Sequence, residues 1–123
     1  MNHNQKAYKQ SKRNWPTPPV ELDWREKGAV NEIADQGDCG SCWAFGLIAG
    51  EEGCWFINKS ELLKYSEWNL VDCVSFCLGC SVWSCDNAYY YVINKQCGQS
   101  NLEIDYPYRE TDETCKFDKQ KAV

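Results

Sequence analysis

From Trp43 to Ile57 apolar side chains return at the three- and four-residue intervals of one helical face, and the stretch just before them is rich in turn formers, Gly37, Asp38, Gly40 and Ser41. The pattern predicts a central helix running from Cys42, or just before it, to about Asn58. Gly46, Gly50 and Gly53 recur at spacings of four and three, so they share a face, and the expectation is that another backbone approaches closely there. A second, shorter helix is expected through Glu67, Trp68, Leu70 and Val71 to Cys73, with Ser66 as its cap and an acidic residue in its first turn. From Val74 to Cys85 no period survives, and Cys77, Cys80 and Cys85 with Gly79 read as a stapled loop. Asn87 to Lys95 fits either a third helix or a strand, since three tyrosines and Val92-Ile93 suit both. A turn at Gly98, a corner at Tyr106-Pro107-Tyr108 and a polar tail complete the chain. At the other end, Pro16, Pro18 and Pro19 force an extended path between a basic arm (Lys6, Lys9, Lys12, Arg13) and a segment, Val20 to Val30, anchored by Trp24 and turning at Lys27-Gly28.

A chain of 123 residues supports one domain, able to bury roughly two-thirds of its unfolded surface. Six tryptophans, seven tyrosines and four phenylalanines argue for a packed core despite a mean hydropathy of −0.63. The net charge of −5, with no long basic run, argues against nucleic acid and anionic membranes as partners. No signal peptide is visible, and no apolar stretch is long enough to span a bilayer. Nine cysteines point to an oxidising compartment, secreted or lysosomal/vacuolar, and their odd number leaves one thiol free when the rest pair. The sequon Asn58-Lys59-Ser60 makes Asn58 a candidate glycosylation site.

Cys42 is the candidate for that free thiol. In the first turn of a helix, unpaired N–H groups and the positive end of the dipole favour a thiolate over a thiol and so make a nucleophile. Two other uses of the cysteines compete with this reading. Cys39-Gly-Ser-Cys42 and Cys77-Leu-Gly-Cys80 have the spacing of structural zinc sites and of redox dithiols. The gap from Cys42 to Cys77 is longer than zinc ribbons use, and a buried helix follows Cys42 directly, so no metal site is expected. A redox dithiol generally follows a strand within a βαβ pattern, which this sequence lacks. No cofactor is expected either.

The run Gln36-Gly-Asp-Cys-Gly-Ser-Cys-Trp-Ala-Phe45 resembles the active-site segment of papain-like, cathepsin-type cysteine peptidases, with its C-G-[SA]-C-[WY] signature. Three more runs fit that family in order and spacing: Leu22 to Val30, Tyr65 to Cys73 and Asp105 to Tyr108. Together they cover roughly residues 19 to 115. The resemblance implies that residues 19–123 form the α-rich left domain of the two-domain α+β papain-like fold, with residues 1–18 as the tail of a propeptide or a plain extended arm, and it tips Asn87–Lys95 to helix. It implies a thiol endopeptidase acting on peptide or protein substrates, with Cys42 as nucleophile and Gln36 as oxyanion-hole donor, and a propeptide or cystatin-like protein as inhibitor. It also implies bridges from Cys39 to Cys80 and from Cys73 to Cys115. Cys54, Cys77, Cys85 and Cys97 lie outside the family's basic set, and the expectation for them is Cys54 with Cys97 and Cys77 with Cys85, one of three pairings open.

In the family pattern the histidine partner lies about 130–150 residues after the cysteine, beyond these 123 residues. The one histidine, His3, sits in the basic arm and matches no family motif. The expectation is therefore that the β-rich right domain, carrying His and Asn, is absent from this sequence and that the 123 residues alone are inactive. The expected substrate cleft comprises Gly40, Ser41, Trp43, Val82, Trp83, Ser84 and Cys85. At this last stretch the chain departs from its family: most relatives carry Asn-Gly-Gly after the cysteine at position 80, whereas Ser81-Val82-Trp83 stands here. Side chains of that size obstruct the close backbone approach that an extended substrate needs. That departure, with the missing base, supports an alternative reading: a non-catalytic papain-like module acting as a binding or structural subunit.

Overall fold

The computed structural model describes residues 16–81 and 87–123. Its spine is α1 (Cys42–Lys59), followed by α2 (Glu67–Cys73), a single 3-10 turn (Ser75–Cys77) and α3 (Ala88–Lys95). The periodic stretch thus becomes one helix that starts at Cys42, and α3 resolves the ambiguous tyrosine-rich run as helix. α1 ends where Ser60 adopts a left-handed conformation, its N–H returning to the Phe56 carbonyl. Ser66 caps α2 as the sequence predicts: its hydroxyl accepts from the Asn69 N–H (3.0 Å) and donates to the Tyr106 carbonyl (2.5 Å). One cap therefore also ties α2 to the segment that follows α3.

The core sits between α1 and α2. Ala44, Leu47 and Ile48 from α1 pack with Trp68, Leu70 and Val71 from α2, and Tyr65, Val74, Ala88, Val92 and Tyr106 close the cluster. A buried polar seam runs beside it. Asn69 Oδ1 accepts from Gln96 Nε2 (2.9 Å), so the seam fastens α2 to the end of α3. Tyr65 and Leu102 meet in an antiparallel bridge, flanked by bonds from Ser66 N to Asn101 O and from Glu103 N to Lys64 O, both 2.9 Å. The polar tail is not loose: Val123 and Ser100 exchange both backbone hydrogen bonds at 3.1 Å, and Asn101 and Asp118 pair twice.

Disulfides join Cys39 to Cys80 and Cys73 to Cys115, 41 and 42 residues apart. Each closes a loop worth about 3–4 kcal/mol in the chain-entropy account. Cys77 is also disulfide-bonded, while the expectation for Cys85 falls outside the described residues. The bridge expected between Cys54 and Cys97 does not form; both are exposed free thiols. Cys54 is held in α1 and Cys97 in a left-handed turn, φ 59°.

The glycine face of α1 is a second correction. Among the described residues no backbone packs against it: a Cβ at Gly46 or Gly53 would meet nothing within 4 Å, and one at Gly50 only the Tyr89 side chain, its hydroxyl at 2.6 Å. Gly50 and Gly53 instead line an apolar groove of about 570 Å³ beside Trp24, Val30, Ile33 and Ile57. The small residues leave space at the surface rather than fit a crowded interior.

Four carboxyls, Glu51, Glu52, Asp72 and Glu103, have their pKa raised above the usual range, burial being the largest cause for each. Above the ordinary carboxylate values the native state then holds protons that the unfolded chain has released. The stabilising contribution is full below the unfolded values and is lost as pH rises through the higher folded ones. Asp23 and Glu113 shift the other way, through Arg25 and Lys116, but at the solvent-screened surface. The urea midpoint is therefore expected to be higher at pH 5 than at pH 7.5; a midpoint that rises with pH over that interval would refute the assignment.

Candidate active site

The site is built where an extended loop turns into α1. Asp35 Oδ1 accepts from the Gly37 N–H (2.9 Å), and Gly37 takes a positive φ of 60°. A side chain there would also strike the Glu110 carboxylate. The loop is then pinned from three sides. Gly40 N donates to Cys80 O (2.8 Å) beside the Cys39–Cys80 bridge. Cys80 N donates to Asp112 Oδ1 (2.7 Å). The Tyr108 hydroxyl donates to Gln36 O (2.8 Å) and accepts from the Ser41 hydroxyl (2.5 Å). Burial raises the Tyr108 pKa, which keeps that hydroxyl protonated and able to donate.

Cys42, so positioned, is the first residue of α1 and is exposed as a free thiol. Its own N–H makes no backbone hydrogen bond among the described residues, as expected at a helix start. Cys42 and Gln36 line one pocket of about 350 Å³ together with Ile33, Ala34, Asp35 and Phe45. Gln36 Nε2 donates to the Cys39 carbonyl (3.0 Å). That bond uses one amide hydrogen, fixes the side chain beside the helix start, and leaves the second hydrogen for another acceptor.

Of the other expected cleft residues, Gly40, Ser41 and Trp43 turn inward. All three are buried, and Trp43 Nε1 donates to the Gly79 carbonyl (3.1 Å). None of the three is among the residues lining the Cys42 pocket; Trp43 lies about 100° around the helix from Cys42 and is turned to the core. Val82, Trp83, Ser84 and Cys85 lie outside the described residues, as does His3. Sequence reasoning missed Ile33, Ala34, Asp35 and Phe45 as pocket walls and Tyr108 as the strap. Only Tyr108 had a signal, its place in the Tyr106-Pro107-Tyr108 corner. Among the described residues no group of three or more metal-binding side chains converges, and no helix is long and apolar enough to cross a membrane.

The described domain is thus helical, with an exposed cysteine at the mouth of its main helix and a glutamine in the preceding loop. The family model described as papain family cysteine protease matches residues 18–123, and the chain belongs to that family. It is 44% identical over 104 residues to cathepsin F of Mus musculus, covering 85% of this chain and 22% of that protein. It is 43% identical over 107 residues to vignain of Ricinus communis, covering 86% and 29%. Among solved structures it matches the Amb a 11 cysteine protease, a ragweed pollen allergen, in its proform, with a TM-score of 0.77 and 42% identity over 88% of this chain and 32% of that one. The chain thus spans about a third or less of the length of these relatives.

Proposed function

We propose that this domain supplies the nucleophilic half of a papain-type cysteine endopeptidase. The observation that carries the reading is the exposed Cys42 thiol at the start of α1, sharing a pocket with the Gln36 amide. The Cys42 sulfur attacks the scissile carbonyl; the Cys42 N–H and the free Gln36 hydrogen receive the developing oxyanion. An imidazole must support the thiolate and protonate the leaving amine. On this reading it comes from the β-rich partner domain, which also carries the asparagine, and the 123 residues alone do not hydrolyse peptides.

The apolar groove supports a partner on that side. It shares Ile33, Ala34 and Phe45 with the Cys42 pocket, and Val30, Ile33 and Ile57 are all exposed along it. A domain seated there would cover these side chains and bring a base to Cys42 at once. Residues 1–18 are read as the tail of a propeptide, in keeping with a family match that begins at residue 18, and the compartment as secreted or lysosomal/vacuolar, in keeping with the disulfides. The substrate is a peptide or protein, and a propeptide or cystatin-like protein is the natural inhibitor.

In the complete protein, Gln36→Ala is expected to lower kcat by roughly 10²–10³-fold, the range for loss of one oxyanion donor, with little change in KM. Steady-state kinetics on a fluorogenic peptide decides it. An unchanged kcat removes Gln36 from the oxyanion site. Absence of any hydrolysis by the wild-type complete protein favours the binding-module alternative.

A further inference from the structure

The far end of α1 carries a second candidate site, unrelated to the Cys42 chemistry. Asn58 lies in the last turn and its side chain is exposed, while Ser60 stands just outside the helix in a left-handed conformation. The sequon therefore straddles a helix end rather than lying inside a helix, and both of its functional side chains are at the surface. Asn58 Nδ2 donates one hydrogen to the Cys54 carbonyl (2.7 Å). The second hydrogen is the one a glycosidic bond would replace, so the helix bond survives modification and orients the new secondary amide. Sixteen residues of helix separate Asn58 from Cys42, a rise of about 24 Å, so a glycan here leaves the nucleophile open.

Cys54 and Trp55 precede Asn58 by four and three residues and so share its face. With Tyr65 and Gly98 these three line a shallow pocket of about 210 Å³, and Cys54 there is a free, exposed thiol.

We infer that Asn58 is an N-glycosylation site whose first sugar lies over this pocket and shields the Cys54 thiol. The donor is a lipid-linked oligosaccharyl pyrophosphate. The Asn58 Nδ2–C1 bond forms as the C1–O bond to pyrophosphate breaks, the electron pair leaves with the pyrophosphate, and the Nδ2 proton passes to the transferase's base. No electron transfer is involved.

The test uses the whole gene product secreted from a eukaryotic host and digested with peptide-N-glycosidase in H2(18)O. Peptides containing position 58 are expected to carry 18O-labelled aspartate, and Ser60→Ala, which retains Asn58 and its helix bond, is expected to abolish the label. On the undigested, still glycosylated protein, iodoacetamide is expected to alkylate Cys54 about ten-fold more slowly in the wild type than in Ser60→Ala. Unmodified Asn58 in the secreted wild type overturns the site. Equal Cys54 alkylation in the two forms overturns the shielding. Neither readout depends on peptidase activity.

Discussion

Replacing Cys42 with alanine in the complete protein is expected to lower kcat/KM by on the order of 10⁴–10⁶-fold, the range seen when a covalent nucleophile is removed. The fold should not notice. Cys42 is exposed, unpaired and at the first helical position, where a side chain neither fills core space nor closes a hydrogen bond, so a change of stability within about 0.5 kcal/mol is expected. Measuring peptide hydrolysis and the urea midpoint on the same preparation separates a lost nucleophile from a lost fold. Retention of more than a small fraction of activity would mean that attack comes from another group.

The largest structural effect is expected at Trp68. It is 1% exposed, and its ring meets the Tyr108 ring edge to face at 5.0 Å, while Tyr108 meets Phe45 in the same way at 5.1 Å. Trp68→Ala is expected to cost about 3–5 kcal/mol of stability, a large part of the total available to a domain of this size. The damage should reach the site. Tyr108 is the strap that holds Gln36 and Ser41, and Phe45 walls the Cys42 pocket. Trp68→Phe should cost markedly less, since it keeps an aromatic ring against Tyr108 and removes an indole N–H that has no hydrogen-bond partner among the described residues. Equal losses for the two substitutions, measured by urea unfolding, would show that the aromatic chain from Trp68 to Phe45 does not organise the loop.

Much of this was legible in the sequence because it depends on local rules. Turn formers before a periodic run located the start of α1, and with it Cys42; a serine before Glu67-Trp68 located the cap of α2. Cys42 and Gln36, proposed as nucleophile and oxyanion donor, were singled out through the family resemblance of the one loop that carries both, six residues apart. What the sequence did not show depends on which way an element faces after the chain has returned. Helical spacing put Gly46, Gly50 and Gly53 on one face, but whether a backbone or open space met that face was set by the packing of distant segments, and the answer was a groove. Trp43 adjoins Cys42 in sequence yet is buried while Cys42 is exposed, because adjacent helical residues diverge by about 100°. Tyr108 straps the loop from 67 and 72 residues away, a distance at which no pattern in the loop itself can point to it. The pairing of Cys54 with Cys97 was open by arithmetic alone, and in the fold both are free thiols.

Covalent labelling with a peptidyl epoxide, followed by peptide mapping, sets Cys42 against Cys54 and Cys97, the three free and exposed thiols among the described residues. In the complete protein the account predicts that Cys42 alone is alkylated, since only it pairs a helix N-terminus with an oxyanion donor. Indiscriminate labelling of all three, or labelling that spares Cys42, would contradict it.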